Sequence, residues 1–152
     1  MNIEQTLRDY ISNVVHMSLA TSRDNKPWVC EVHFAYDDDL NIYFRSLASR
    51  RHSQDIALNQ QVAGNIVEQH DLSMKPRGVY FEGIAEALND VTDDSPAYLA
   101  VSQRMGLGPD ILTDAASPEG HHFYKITVKK FYVFDARESK PSQKYELSWP
   151  KA

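Results

Sequence analysis

The first residues of the chain place apolar side chains at intervals of three and four, which is the spacing of a helix with one buried face. These apolar positions are Ile3, Leu7, Tyr10, Ile11, Val14 and Val15. The polar residues between them would face solvent. The pattern predicts an amphipathic helix that ends near His16 and packs on a core.

From Met17 the spacing changes to that of β-strands. The segment MSLATS leads into a turn-forming stretch, residues 23–27, and then into WVCEVHFAY, residues 28–36, where apolar and polar positions alternate. Residues 37–41, which begin with three aspartates, form the next turn, and residues 42–46 return as a third strand. The pattern predicts an antiparallel meander.

The middle of the chain continues with one helix and two strands. A helix begins at Ser49, which is a good N-cap residue, and residues 62–68 follow as a strand. A polar loop over 69–78 precedes a fifth strand over 79–88. Within that strand, Gly83 indicates a bulge or a bend at a barrel corner.

The last third begins with acidic residues and an early proline in 94–105, which are helix-start signals. The Gly-, Pro- and Ser-containing loop over 106–120 is long enough that we expect it to be functional or partly mobile. Aromatic and β-branched residues over 121–137 predict one or two strands. The tail, 138–152, is polar and is expected to be peripheral.

About six strands joined mainly by hairpins, with helices at the start, after the third strand and after the fifth, predict a mainly β fold. We expect a small closed antiparallel barrel decorated with helices, formed by residues 1–152 as a single domain. The main alternative is an open antiparallel sheet packed on helices.

Charge and composition restrict the partners and the compartment. Sixteen Lys and Arg against 21 Asp and Glu give a net charge of −5, so we expect neither nucleic acid nor a membrane as a partner. The first residues lack the pattern of a signal peptide, which favours a cytoplasmic protein. The single cysteine, Cys30, permits no internal disulfide. The six histidines are scattered or adjacent, so no metal site is expected.

The strongest candidate for chemistry is the junction of the third strand and the second helix, RSLASRRH at 45–52. A helix start presents free N–H groups and the positive end of the helix dipole, so two arginines there favour an anionic guest such as phosphate. Ser49 can cap the helix or donate to a phosphate oxygen. The alternative is a solvated basic turn that is neutralised by the acidic residues at 37–39 or by Asp55.

The order and spacing of several short motifs resemble a known family, although no single motif is specific. The matching positions are Ala20-Thr21, Lys26-Pro27, Asp37, residues 42–46 and Ser49-Arg50-Arg51, followed by residues 62–67, 76–88 and 123–136. Through them the chain resembles the pyridoxamine 5′-phosphate oxidase-like flavin-binding split barrels. The resemblance covers most of the chain.

This resemblance implies a six-stranded antiparallel split barrel of the FMN-binding type, which forms a homodimer and holds FMN in a cleft at the subunit interface. The residues implied or proposed for the phosphate are Arg45, Ser46, Ser49, Arg50, Arg51 and His52, and those beside the isoalloxazine ring are Glu31, Val32, His33, Phe34 and Phe44. Glu31 and His33 lie on one polar strand face, which suits a strand that passes the ring.

The expected activity is that of an oxidoreductase, in which FMN exchanges a hydride or electrons with a small-molecule substrate or electron donor. The residues identify no catalytic side chain. The chain ends in YELSWPKA rather than in the Arg- and Trp-containing segment with which pyridoxamine phosphate oxidases bind their substrate. Oxidation of pyridoxamine phosphate itself is therefore not expected.

Two other functions remain open. A branch of the same superfamily binds or degrades haem, which would require an axial histidine, and His121 and His122 are the candidates. The better-characterised oxidases carry basic residues on the second strand where this chain has Cys30 and Ala35. This difference suggests the other alternative, a dimeric binding module without a cofactor.

Overall fold

The computed structural model describes residues 2–138 and 143–151, which form a mainly β fold with four helices. The helices are α1 (Ile3–Ser12), α2 (Arg51–Leu58), α3 (Pro96–Met105) and α4 (Asp110–Ala116). The strands are β1 (His16–Arg23), β2 (Lys26–His33), β3 (Ala35–Tyr36), β4 (Ile42–Leu47), β5 (Gln61–Ile66), β6 (Arg77–Ala87), β7 (His121–Asp135) and β8 (Lys144–Ser148). They belong to one antiparallel sheet.

The sheet curls because its second strand bends at Phe34. β2 pairs with β1 up to the pair formed by His16 and His33, and beyond Phe34 the chain continues as β3, which pairs with β4. The order across the sheet is β2-β1-β5-β6-β7-β4-β3, so its two ends are the halves of one bent strand. The fold is therefore a split barrel, and the prediction of a closed barrel is corrected.

The described residues contain eight strands, where the sequence predicts six. The bend divides the predicted second strand into β2 and β3, and the predicted peripheral tail contributes β8, which pairs with β7. After β8, the ring of Trp149 packs edge-on against Phe131, and its indole N–H donates to the carbonyl oxygen of Asp39 at 2.6 Å. The tail thus extends the barrel wall, although residues 139–142 and 152 lie outside the described residues.

Two helical segments also differ from the prediction. α1 ends at Ser12 rather than near His16, because His16 is already paired in β1. The predicted loop over 106–120 contains α4. Ile111 of this helix is buried in a cluster with residues of the sheet. None of the helices in the described part of the chain is long and apolar enough to cross a membrane.

The longest strand pair, β6 with β7, contains the predicted bulge. The register shifts between Glu82 and Gly83. A Cβ atom at Gly83 would lie 2.5 Å from the carbonyl oxygen of Thr127, so the close approach of the two backbones requires glycine. The 15 residues of β7 form one continuous strand.

Buried side chains form two clusters. The larger cluster fills the barrel, and α1 contributes Leu7 and Ile11 to it. The smaller cluster lies between the sheet and the helices α3 and α4, around Tyr43, Val101 and Phe123. This arrangement holds α3 and α4 beside the end of β4, where the candidate residues Arg45 and Ser46 lie.

Candidate functional site

The split in the barrel leaves a cleft between β2 and β4. In the β3–β4 pair, Ala35 faces Tyr43, and the same register continued along the strands would bring Val32 opposite Ser46. The strands diverge there instead, and a cleft of about 470 Å³ opens. β3 occupies this edge of β4 only at Ile42 and Tyr43, and beyond them the facing edges of β2 and β4 pair with no strand of the described residues. Their main-chain N–H and C=O groups are therefore available to a bound molecule.

Most of the predicted cofactor residues line this cleft. They are Glu31, Val32 and His33 from β2, Arg45 and Ser46 from β4, and Arg50 and His52 from the start of α2. Sequence reasoning missed Leu47, Met105 and Leu107, which also line it. Met105 is the last residue of α3, and Leu107 follows two residues later. No local sequence pattern predicts that either residue lines a cleft.

The two predicted phenylalanines lie behind the cleft. Phe34 and Phe44 are buried in the barrel core. The ring of Phe44 stacks on that of Tyr124, with centroids 4.9 Å apart. These rings support the cleft from within and are not part of its lining.

Two residues of the predicted phosphate group point elsewhere. Ser49 is exposed, and its carbonyl oxygen accepts a hydrogen bond from the Gln54 side chain. The guanidinium of Arg51 lies 4.3 Å from the centroid of the Trp28 ring and pairs with Asp55. Of the two consecutive arginines, only Arg50 lines the cleft.

Ser46 and His52 form a hydrogen-bonded pair in the cleft. The imidazole Nε2 lies 2.7 Å from the serine Oγ, and both residues are buried, with 6% and 7% of their surfaces exposed. Burial lowers the pKa of His52, the charge of Arg50 lowers it further, and Asp55 acts in the opposite direction. A neutral imidazole can donate from Nε2 to the serine oxygen, which leaves the serine proton free for a ligand.

The start of α2 carries uncompensated positive charge. Arg50, rather than the predicted Ser49, occupies the N-cap position, and no side chain caps this end. Within the described residues, Arg50 forms no ion pair, whereas Asp55 pairs with Arg23 and Arg51. The free N–H groups of the first turn add to this charge, so this end of the cleft suits an anion.

A carboxylate of α4 connects two other residues of the cleft. Oδ2 of Asp114 accepts from Arg45 Nη2 at 2.8 Å and from the main-chain N–H of His121 at 3.0 Å, and it lies 3.3 Å from His121 Nδ1. These donors lower the pKa of Asp114, the main-chain hydrogen bond most of all. Nε of Arg45 is buried and has no hydrogen-bond partner among the described residues, so it remains an unused donor.

The β2 wall of the cleft is polar. The carboxylate of Glu31 accepts a hydrogen bond from the Ser18 hydroxyl on β1, and the His33 ring stacks on that of His16 with centroids 4.4 Å apart. Cys30 packs against the core from the same strand. Burial and the nearby Glu31 raise the pKa of the Cys30 thiol to about 11, so it is mostly protonated at neutral pH.

The adjacent histidines of β7 separate as the strand alternation predicts. His121 lines the cleft, whereas Nε2 of His122 lies 2.9 Å from the carbonyl oxygen of Ser117 at the end of α4. No group of three or more His, Cys, Asp or Glu side chains in residues 2–138 and 143–151 is arranged to bind a metal ion.

Solved structures of other proteins share this split-barrel architecture. HutZ, the heme storage protein from Vibrio cholerae, is 18% identical, with 88% of this chain and 95% of HutZ aligned at a TM-score of 0.67. A candidate pyridoxamine 5′-phosphate oxidase from Listeria innocua is 15% identical, with 87% of this chain and 98% of that chain aligned at a TM-score of 0.63. This chain has the fold of the pyridoxamine 5′-phosphate oxidase-like split barrels.

A third split barrel, a heme binding protein from Mycobacterium smegmatis, is 12% identical and aligns with 97% of this chain at a TM-score of 0.76. This chain spans 58% of that longer protein. No family model matches this split barrel by sequence, and no curated protein is significantly similar to it. These low identities establish the fold alone.

Proposed function

We propose that this split barrel is an FMN-binding flavoprotein and an oxidoreductase, with the FMN phosphate at the start of α2. The proposal rests on the convergence of Arg50, Ser46 and His52 in one cleft, where Arg50 has no carboxylate partner among the described residues. The unused Nε donor of Arg45 adds a second unsatisfied group. These donors fit a phosphate, which accepts several hydrogen bonds and carries the opposite charge.

Each residue has a distinct part in this proposal. Arg50 supplies charge and a guanidinium fork for the phosphate oxygens. Nε2 of His52 lies 2.7 Å from Ser46 Oγ, and in this proposal the neutral imidazole donates to the serine oxygen, so that the serine hydroxyl donates to the phosphate. The unpaired edge of β2 at Glu31–His33 offers main-chain groups to the ring. FMN, when bound, supplies hydride or electron transfer, while the chain positions it.

The predicted homodimer, with the cofactor at the subunit interface, is part of the same proposal. Trp28 and Val29 of β2 expose 41% and 61% of their surfaces. Large apolar side chains that are exposed in this way are available for a protein interface. A small-molecule substrate or electron donor and a cytoplasmic location also remain predictions.

FMN titration of the purified protein tests the phosphate assignment, with flavin fluorescence as the signal. We expect wild type to bind FMN and Arg50→Ala to weaken binding by about tenfold or more. Arg51→Ala is the matched control, because Arg51 lies over Trp28 outside the cleft, and its effect should be less than about threefold. Absence of FMN binding to wild type, or equal losses in both variants, would contradict the assignment.

Haem binding is the second candidate, and His121 favours it. This residue lines the cleft, and its Nδ1 faces Asp114, so its Nε2 remains available as an axial ligand. Titration with haemin should give a Soret band in wild type and in His122→Ala, and a shifted or weakened band in His121→Ala. A spectrum unaffected by both substitutions would exclude these histidines as ligands.

A further inference from the structure

A second compartment, which we term the Arg104 chamber, adjoins the cleft at the ends of α1 and α3. It has a volume of about 550 Å³. The residues that line it are Ser12, Asn13, Val15, His33, Phe34, Arg104, Met105 and Leu107. His33, Met105 and Leu107 also line the cleft, so the two spaces communicate. A volume of this size is typical of sites for small molecules.

Arg104 is held rigidly at one side of the chamber. Its Nε donates to the carbonyl oxygen of Phe34 at 3.0 Å, and its Nη2 donates to the carbonyl oxygens of Ile11, at 3.0 Å, and of Val14. The guanidinium carbon also lies 4.8 Å from the centroid of the Phe34 ring and 5.0 Å from that of Tyr36. The guanidinium is therefore fixed by three hydrogen bonds and two aromatic contacts.

The remaining donor group of Arg104 is unused. Nη1 forms no hydrogen bond to the described residues and is not buried, so a ligand can reach it. Arg104 also forms no ion pair with a carboxylate of the described residues. One of its acceptors, the carbonyl oxygen of Ile11, belongs to the last turn of α1, and a helix end carries about half a negative charge at most. A net positive charge therefore remains beside the chamber.

One side of the chamber is apolar, whereas Ser12, Asn13 and His33 contribute polar groups to the rest of the wall. Val15 exposes 58% of its surface, and Met105 and Leu107 contribute apolar surface beside it, whereas the ring of Phe34 is buried behind the chamber. A fixed cation with a free N–H group next to apolar walls is complementary to a molecule with one anionic group and an apolar body. A fully solvated ion would gain little from such walls.

We propose that the Arg104 chamber binds a small aromatic carboxylate, with the carboxylate at Arg104 Nη1 and the ring against Val15, Met105 and Leu107. The assignment of this molecule as the substrate rests on the proposed function, because the molecule could react only with a cofactor in the adjoining cleft. His33, Met105 and Leu107 line both spaces and connect them. Binding of the carboxylate itself depends on this chamber alone.

Two probes of the same shape test the charge requirement. ¹H–¹⁵N NMR spectra of the apo protein are recorded during titration with 1-naphthoate and, separately, with the neutral 1-naphthamide. We expect naphthoate to shift the amide signals of Val15, Phe34 and Leu107 and to bind at least about tenfold more tightly than naphthamide. Equal binding of the two probes, or shifts at Arg50 and His52 without shifts at the chamber, would overturn the proposal, as would no binding.

Exposed Val15 allows the charge to be changed without disturbing the core. Val15→Glu should weaken naphthoate binding by about threefold to tenfold, and Val15→Lys should strengthen it by a similar factor, because each adds one charge beside the carboxylate. Leu58→Glu is the matched control, since Leu58 is 72% exposed and outside the chamber. Equal effects of Val15→Glu and Leu58→Glu would refute the location.

Arg104→Gln is the direct variant, and it should reduce naphthoate affinity by about tenfold or more. If this variant fails to fold, the Val15 pair still decides the question. The same samples are then titrated with FMN. Naphthoate binding without FMN binding would support the chamber proposal and contradict the proposed flavin function. FMN binding without naphthoate binding would support the flavin function and contradict the chamber proposal.

Discussion

Nε2 of His52 lies 2.7 Å from Oγ of Ser46, and this contact joins the end of β4 to the first turn of α2 inside the cleft. The pair is buried, so the imidazole is kept from water at the point where the proposed phosphate would lie. The protonation of His52 is consequently coupled both to folding and to the charge of the cleft.

The lowered pKa of His52 predicts loss of stability in acid. The unfolded imidazole, with its ordinary pKa of 6.5, takes up a proton before the folded one, so the free energy of unfolding falls as the pH is lowered through this value. Above it both states are neutral, and the contribution disappears. Urea unfolding at several pH values should give a shallower dependence for His52→Asn than for wild type. Equal slopes would contradict the lowered pKa.

Removal of the Asp114 charge should strengthen anion binding in the cleft. Asp114 occupies Arg45 through a 2.8 Å hydrogen bond, so Asp114→Asn leaves more of the Arg45 charge for a ligand. We expect FMN affinity to rise by about threefold. Asp110→Asn, a change of the same kind at the start of α4, is the control and should have little effect. A decrease in affinity in Asp114→Asn would mean that Asp114 holds Arg45 in its binding position.

Gly120 permits the contact between α4 and β7 that places Asp114. A Cβ atom at Gly120 would lie 1.8 Å from the carbonyl oxygen of Asp114, so an alanine must displace the end of α4. Gly120→Ala should cost about 1–3 kcal/mol of unfolding free energy, measured in urea. Gly108→Ala meets only an ordinary 3.4 Å contact and should cost much less. Similar values for the two variants would show that α4 adapts freely.

The hydroxyl of Tyr10 should contribute measurably to stability. It accepts from the main-chain N–H of Glu68 at 2.7 Å and donates to the carbonyl oxygen of Arg77 at 3.2 Å, which ties α1 to the end of β5 and the start of β6. Tyr10→Phe leaves both main-chain groups without this partner, and we expect a loss of about 1–3 kcal/mol. Tyr80→Phe is the control. A loss no larger than the control's would mean that water replaces the hydroxyl.

Local patterns were sufficient for most of the elements. Alternation and helical spacing depend on neighbours a few residues apart, so β4, β6 and the first three helices follow from them, as does the bulge at Gly83. The opposite orientations of His121 and His122 follow from the same two-residue period. The basic segment at 45–52 was recognisable because a strand end and a helix start are both local features.

The composition of the cleft depended on contacts between distant parts of the chain. The orientation of α2 directs the side chains of Arg50 and Arg51 to different places, because only the Arg51 guanidinium contacts Trp28 and Asp55. Sequence spacing gives no indication that Asp114 meets Arg45, which lies 69 positions earlier in the chain. Such pairings depend on how α4 packs on the sheet.

The sequence by itself determined the periodicities, the turns and the presence of a basic helix start, since each of these arises from interactions within a few residues. Tertiary structure alone decided that the second strand bends at Phe34, that Trp149 returns to the barrel wall, and that Arg104 faces a chamber beside the cleft. These features require surfaces that exist only after β1, β4 and the helices have packed together, so the physical cause lies in long-range burial and hydrogen bonding rather than in local preference.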